Sequence, residues 1–268
     1  MFSLGGERAT RTQPARRSGR GSGSARGVCL AHPGRDHPDR GLLTSRGTLF
    51  VVATPLGNLE DITLRALRVL REVDVVACED TRRTRALLAH FDIHTPTTSY
   101  FEHNMRAKGP DLVRQLGEGR SVALVTDAGT PAISDPGFML VRDARAAGIA
   151  VVPVPGPSAV AAALSAAGEP ADRFVFDGFL PVKSGRRLNR LRALRETDAT
   201  VVLYESPHRI VATLEAIREA FGDIELVVAR ELTKQFEEIV RATPGAHLER
   251  LAAAPIRGEF VLVIPRAK

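Results

Sequence analysis

The sequence predicts an α/β fold built on a mostly parallel sheet, with a second α/β set following it. Three observations lead there. From Gly47 onward, apolar runs of strand length alternate with segments of helical period. That alternation is the pattern of strands joined by crossover helices. The chain is 44% hydrophobic but only 5% aromatic, with no Trp. Its apolar content is therefore mainly Ala, Val and Leu, which suits helices packed on a sheet. Finally, 268 residues suffice for one large or two small domains with real cores.

Each element follows from its own pattern. TLFVVAT (48–54) reads as a strand. Asp61 then caps a helix with Ile62, Ala66, Leu67, Leu70 and Val73 on one face. DVVACE (74–79) is a strand, and a helix runs from Thr81 to about Phe91. TTSYF (97–101) is a third strand, followed by a helix through Leu112, Val113 and Leu116. SVALVT (121–126) is a fourth. Asp135-Pro136 supplies an N-cap and a first-turn Pro for a helix through Val141 and Ala144. IAVVPV (149–154) is a fifth strand. Pro157 opens an Ala-rich helix over 158–167 that ends at Gly168, placed as a C′ residue.

A second set begins with FVFDGFL (174–180), then an Arg-rich helix over 184–196. ATVVLYE (199–205) is a strand, and Ser206-Pro207 starts a helix over 207–220. ELVVARE (225–231) is a strand, Thr243-Pro244 starts another helix, and EFVLVIP (259–265) closes the chain. A domain boundary is expected near 170, dividing 47–170 from 171–268.

Residues 1–46 read differently. They hold nine Arg, no Lys and three acids, Glu7, Asp36 and Asp39. The remaining 222 residues hold 28 basic and 28 acidic residues, so the net charge of +6 resides in this segment. It is rich in Arg, Gly and Ser and too poor in apolar residues to offset its chain entropy, so it is expected to be disordered. An RNA-attracting arm, a transit segment and upstream sequence read from an early start codon all fit its composition. Its many glycines and missing apolar helix face weaken the transit reading, and upstream sequence is the reading favoured. The rest is neutral overall, so basic partners must meet local patches.

The sequence excludes several classes. No run of 18 apolar residues exists, so no membrane span is expected. Cys29 and Cys78 form no disulfide framework and no metal spacing, and a reducing cytosol is the simple reading. His90, His94, His103, His208 and His247 show no ligand spacing, so no metal site is expected. There is no GxGxxG after the first strand and no GxxxxGK[ST], which argues against a dinucleotide fold and a P-loop. No GxSxG elbow and no HExxH are present.

Four loops stand out because each follows the carboxyl end of a predicted strand, the edge where open α/β sheets hold ligands. They are Thr54-Pro55-Leu56-Gly57-Asn58, then Asp127 through Gly137 (DAGTPAISDPG), then Pro155-Gly156-Pro157-Ser158-Ala159, then Tyr204-Glu205-Ser206-Pro207-His208-Arg209. Gly lets a ligand approach the backbone and Pro fixes the loop path. Any one of them is ordinary turn chemistry. Four at strand ends point to a binding crevice.

ATPLGN, CEDTRRT, LVTDAGTPAISDPG, PVPGPSAV, FDGFLP, YESPHR and ARELTK stand in that order. Together they resemble the ribosomal small-subunit RNA cytidine 2′-O-methyltransferases, the ribosomal RNA small subunit methyltransferase I family of the tetrapyrrole (class III) methylase superfamily. The resemblance runs over about 47–265. It implies a two-domain tetrapyrrole methylase-like fold, with a mostly parallel sheet in the N-terminal domain and a mixed sheet in the C-terminal one. It implies S-adenosyl-L-methionine held between the domains by Thr54, Pro55, Gly57 and Asn58, by Asp127, Gly129, Thr130, Pro131, Ile133 and Ser134, by Gly156, Pro157, Ser158 and Ala159, and by Tyr204. It also implies a cytoplasmic homodimer acting on 16S ribosomal RNA of the small subunit. Relatives often carry a further small helical region after the last strand, whereas this chain stops at Lys268.

Methyl transfer from a sulfonium draws its difficult chemistry from the cofactor. Positioning supplies about 7–11 kcal/mol, against roughly 10²–10⁴-fold from a general base. A base or cation near a ribose hydroxyl still helps, and Glu79, Asp80, Glu231 and Lys234 are the candidates. A lysine stabilises a developing alkoxide or, if desolvated, acts as a base. The alternative for Glu79 and Asp80 is that they cap the helix bearing Arg82 and Arg83.

Two basic clusters are candidates for RNA phosphates: Arg82 and Arg83 with Arg85, and Lys183, Arg186, Arg187 and Arg190 with Arg192 and Arg195. The second has Glu196 as its only acid nearby in sequence, which favours RNA contact over a plain solvated face. Two further readings of the whole remain: a tetrapyrrole methyltransferase of corrin or haem synthesis, and a non-catalytic RNA-binding ribosome-assembly protein that keeps the fold. YESPHR and ARELTK favour the RNA enzyme over the first, and intact cofactor loops weigh against the second.

Overall fold

The structure is a computed structural model that describes residues 47–267. The expectation for residues 1–46, and Cys29 with it, lies outside the described residues.

Five strands form the first sheet: β1 (Thr48–Val52), β2 (Val75–Cys78), β3 (Thr97–Ser99), β4 (Val122–Leu124) and β5 (Ala150–Val154). All pair in parallel, in the order β3-β2-β4-β1-β5. Four helices connect them: α1 (Leu64–Glu72), α2 (Thr81–His90), α3 (Met105–Gly117) and α4 (Phe138–Ala146). Side chains of a strand alternate between faces, and the core follows that period. Val76, Cys78, Ala123 and Val125 pack with α1 and α2 through Val69, Leu70 and Leu88. Val75, Ala77, Val122 and Leu124 pack on the other face with α3 and α4 through Leu112, Leu116 and Leu140.

The layering fixes where a ligand can sit. The connection leaving β1 runs past β4 to β2, while the one leaving β4 runs past β1 to β5. Neighbouring strands whose connections depart in opposite directions leave a crevice at their carboxyl ends. That crevice lies between β1 and β4, where the 53–58 and 125–137 loops emerge.

The second sheet contains β6 (Phe174–Phe179), β7 (Thr200–Glu205), β8 (Leu226–Arg230), β9 (Glu238–Ala242) and β10 (Phe260–Ile264), in the order β6-β7-β10-β8-β9. Only β6 and β7 run parallel, so the sheet is mixed, as the resemblance implied. One face packs on α6 (Ser184–Arg195), α7 (Ile210–Phe221) and α8 (Pro244–Ala252) through Leu191, Leu214 and Ile217. The other face receives α5 (Ala159–Ala167), whose Val160, Ala163, Leu164 and Ala167 meet Val202, Val227, Ala229 and Val263. Helix α5 ends at Gly168 in the left-handed region (φ 67°), as the sequence led one to expect.

Several local expectations need correcting. Asp61 does not cap α1: Leu59–Asp61 forms a 3-10 turn capped by Asn58, and Thr63 caps α1 by accepting from the Ala66 amide at 3.1 Å. Asp135 accepts from the Gly137 amide at 2.5 Å and shapes the turn just ahead of α4, whose N-cap is Gly137. Ser206-Pro207 begins a turn, and α7 starts only at Ile210. Strand β9 was not anticipated, because an edge strand reading Glu-Ile-Val-Arg-Ala has no apolar face to announce it.

Candidate functional site

The crevice is stitched by backbone before any side chain enters. Thr54 and Gly129 form an isolated antiparallel bridge, with amide-to-carbonyl distances of 2.9 and 3.0 Å. The Thr54 hydroxyl donates to the Thr126 carbonyl at 3.0 Å. The Thr130 hydroxyl donates to the Pro157 carbonyl at 3.1 Å, joining the third loop to the second. Ala132 and Ser134 sit at φ 69° and 58°, left-handed values that non-glycine residues adopt only under tertiary constraint.

The second sheet closes the crevice from the opposite side. A β-bulge between Phe176 and Phe179, with Gly178 at φ 60°, brings both aromatics against Tyr204, at ring-centroid distances of 4.8 and 5.8 Å. A β-carbon on Gly178 would stand 2.9 Å from Ser134 Oγ, so the loop from the first sheet can approach the bulge only because that residue is glycine.

A cavity of about 350 Å³ lies between these walls. Gly129, Thr130 and Ile133 line it from the second loop, Ser158 and Ala159 from the start of α5, and Tyr204 from β7. It is mostly apolar with a few hydroxyls, the usual make-up of a small-molecule site. The Ser158 hydroxyl makes no cap hydrogen bond, and the first amides of α5 lack intrahelical partners. Several other lining residues were not among the expected cofactor contacts: Leu56, Ala128 and Pro207, which stood in the strand-end loops, and Phe179, Glu259, Phe260 and Val261. Phe179 stood in the FDGFLP motif. The β10 residues carried no signal, being apolar strand positions like any others.

A second cavity, about 410 Å³, opens beside the first. Thr54, Pro55, Gly57 and Asp127 line this one, together with Leu59 and the Arg83, Ala86, Leu87 and His90 face of α2. Leu56 lines both. Asn58, Pro131, Ser134, Gly156 and Pro157 line neither. Asn58 caps a turn, Ser134 abuts Gly178, and Pro157 offers its carbonyl to Thr130. A β-carbon on Gly156 would meet Ala53 Cβ at 3.0 Å, so the constraint there is the chain's own packing rather than ligand approach.

A family model described as Tetrapyrrole (Corrin/Porphyrin) Methylases matches residues 48–247. A Pseudomonas aeruginosa protein named Ribosomal RNA small subunit methyltransferase I is 54% identical over 224 residues, covering 82% of this chain and 79% of that one. The Escherichia coli O157:H7 protein of the same name is 49% identical over 223 residues, covering 82% and 78%. The chain belongs to the tetrapyrrole methylases, in the branch of ribosomal RNA small subunit methyltransferase I. Solved structures share its fold. A cobalt precorrin-4 methyltransferase superimposes with TM-score 0.63 at 21% identity, covering 81% of this chain and 94% of that one. The Thermus thermophilus uroporphyrin-III-C-methyltransferase gives 0.60 at 24%, covering 83% and 96%.

Within this family fold, the four candidate proton-transfer groups fall into two places. Glu79 and Asp80 directly follow β2. Burial pushes the Glu79 carboxyl up, helped by the negative charges of Asp127 and Asp135, while the Thr126 hydroxyl lies 3.5 Å away. Asp80 is the N-cap of α2 and pairs with Arg82, whose side chain and backbone amide hold its pKa down to about 2. It is a poor base, in keeping with the capping alternative. Asp127 accepts from the Asp80 amide and from Arg83, both at 3.1 Å.

Glu231 and Lys234 lie in the loop after β8, where Glu231 and Thr233 also take left-handed φ values of 49° and 66°. Lys234 Nζ stands 2.8 Å from Glu231 and 3.0 Å from Glu259. Burial works against the ammonium, but the two carboxylates outweigh it and its pKa is raised. Lys234 therefore offers a fixed positive charge near neutral pH and not a desolvated base.

YESPHR turns out to be a structural clamp. Glu205 is buried, accepts from the Ser206 amide at 2.8 Å and from the Thr213 hydroxyl at 2.6 Å, and pairs with Arg209. Arg209 also donates to the Leu180 carbonyl.

On α6, Lys183 and Arg186 are exposed, but Arg187 is buried (8% accessible) among core leucines. Burial removes it from any surface that could meet a phosphate. Arg190 is bound bidentately by Asp177, and Arg192 pairs with Glu219 at 3.2 Å. Glu196 is thus not the only acid near the cluster, because β6 and α7 bring two more from distant sequence. Among the described residues no cluster of three metal-binding side chains occurs, and no helix is long and apolar enough to cross a membrane.

Proposed function

We propose that this chain is a cytosolic, S-adenosylmethionine-dependent methyltransferase of small-subunit ribosomal RNA, acting as a homodimer on the ribose 2′-hydroxyl of a cytidine in 16S RNA. The observation that carries the reading is the cavity of about 350 Å³ at the switch point between β1 and β4, closed by Phe179 and Tyr204. Its donor set fits the cofactor: an aromatic and apolar wall for a nucleoside, hydroxyls at Thr130 and Ser158, and a helix start that favours a carboxylate. Bound there, S-adenosylmethionine supplies an electrophilic methyl whose transfer to a hydroxyl leaves a neutral thioether and frees the hydroxyl proton. The chain's own contribution is to orient acceptor and donor, exclude water and hold charge nearby. Lys234 holds that charge, and Glu79, whose pKa is raised by burial and by the charges of Asp127 and Asp135, is the candidate carboxylate most inclined to take up a proton.

Mass spectrometry of ribosomal RNA from a strain lacking the gene tests this. Loss of one ribose methyl from a small-subunit cytidine, restored by re-expression, is the expected result. Unchanged small-subunit RNA would overturn the reading.

A further inference from the structure

We infer that the second cavity, between α2 and the 54–59 loop, receives a single unstacked nucleotide of the RNA and presents its ribose to the cofactor cavity. This rests on the proposed function. A ribose inside stacked RNA cannot be brought into a protein crevice, and specific RNA recognition falls on unpaired, splayed nucleotides. The nucleotide being modified therefore needs its own pocket next to the donor's.

The second cavity meets that need in three respects. Its about 410 Å³ touches the first cavity along a thin partition, since Leu56 lines both and the consecutive residues Asp127 and Ala128 face one cavity each. Its chemistry is divided. Leu56, Leu59 and Leu87 give apolar surface for the face of a base, and Thr54, Thr126 and Asp127 add polar groups to the lining. Its rim is cationic. Arg83 is 71% exposed and uses Nη1 on Asp127, leaving other donors of its five-donor fork open to a phosphate. Arg82, 89% exposed, is next to it on α2. Within CEDTRRT, Asp80 caps the helix and holds Arg82, while Arg83 braces Asp127 and lines the cavity.

Filling the cavity tests the assignment. Ala86 is exposed on its wall, on the solvent side of α2. Ala86→Trp should leave S-adenosylhomocysteine affinity, read by calorimetry, within about twofold of wild type. It should weaken binding of fluorescein-labelled small-subunit RNA, and it should cut kcat/KM on unmethylated small subunits by roughly 100-fold, the scale expected when an acceptor is misplaced. His90→Trp blocks the same cavity from its rim and gives the same two readouts should Ala86→Trp not fold. Wild-type transfer and RNA affinity in a folded Trp variant would overturn the pocket. Failure of the wild-type protein to methylate small subunits would instead overturn the proposed function, so the two failures are distinguishable.

Discussion

Lys234 lies directly over Gly57: a β-carbon on Gly57 would stand 2.2 Å from Lys234 Cγ. The two residues come from opposite sheets, and their packing fastens the loop after β1 to the loop after β8. Cγ is near the root of the side chain, so it cannot swing aside cheaply while Glu231 and Glu259 hold the ammonium. Gly57→Ala is expected to destabilise the protein by about 1–3 kcal/mol, the usual scale of overpacking. In a Lys234→Ala background most of that cost should vanish, because touching residues couple. Equal costs in both backgrounds, measured by denaturant unfolding, would show that this close approach does not limit the site.

The buried Glu205 makes a second prediction. Arg209→Ala removes its cationic partner while leaving the carboxylate enclosed with Thr213 and the Ser206 amide. Removing one partner of a buried pair should cost about 3 kcal/mol. Glu205→Gln, which removes the charge and keeps an acceptor, should cost less. The reverse order of unfolding midpoints would contradict the clamp.

The basic helix α6 divides into two kinds of arginine. Arg187→Ala should destabilise the fold, since its stem packs inside. The exposed pair Lys183→Ala with Arg186→Ala should change stability by no more than about 0.5 kcal/mol. If these two meet phosphate, the log–log salt slope of RNA binding should fall by about 0.7 for each phosphate no longer neutralised. An unchanged slope would remove α6 from the RNA surface.

His247 supplies a pH dependence. It is buried on α8, its Nε2 lies 3.2 Å from the Leu226 carbonyl, and burial lowers its pKa from the ordinary 6.5. The unfolded chain therefore binds the proton more tightly than the folded one. The neutral imidazole's contribution is fully present above about pH 6.5 and declines as pH falls below it, toward the lower folded value. Melting temperature should drop between about pH 7.5 and about pH 5.5, and His247→Gln should flatten that drop. A slope unaffected by the substitution would assign it to other groups.

Much of this protein was legible in its sequence, because strands and helices carry their partners in their own periodicity. Val75 to Cys78 and Val122 to Val125 announce buried parallel strands by being apolar at every position, and the sheet covers both faces as that requires. The loops at strand ends could be named for the same reason: Gly and Pro mark them locally. What the sequence left undecided was every feature joining residues far apart. Two adjoining cavities stood where one crevice was expected, parted by Leu56 and by the Asp127-Ala128 stretch, with α2 walling only the second. Arg187 and Arg190 look alike in a run of cations, yet one is enclosed by the core and the other is held by Asp177 from a neighbouring strand. Lys234 reads as a candidate base until Glu231 and Glu259 are seen around it. Local periodicity depends on a few neighbours along the chain, whereas burial, charge pairing and pKa depend on groups that only the folded chain brings within a few ångströms.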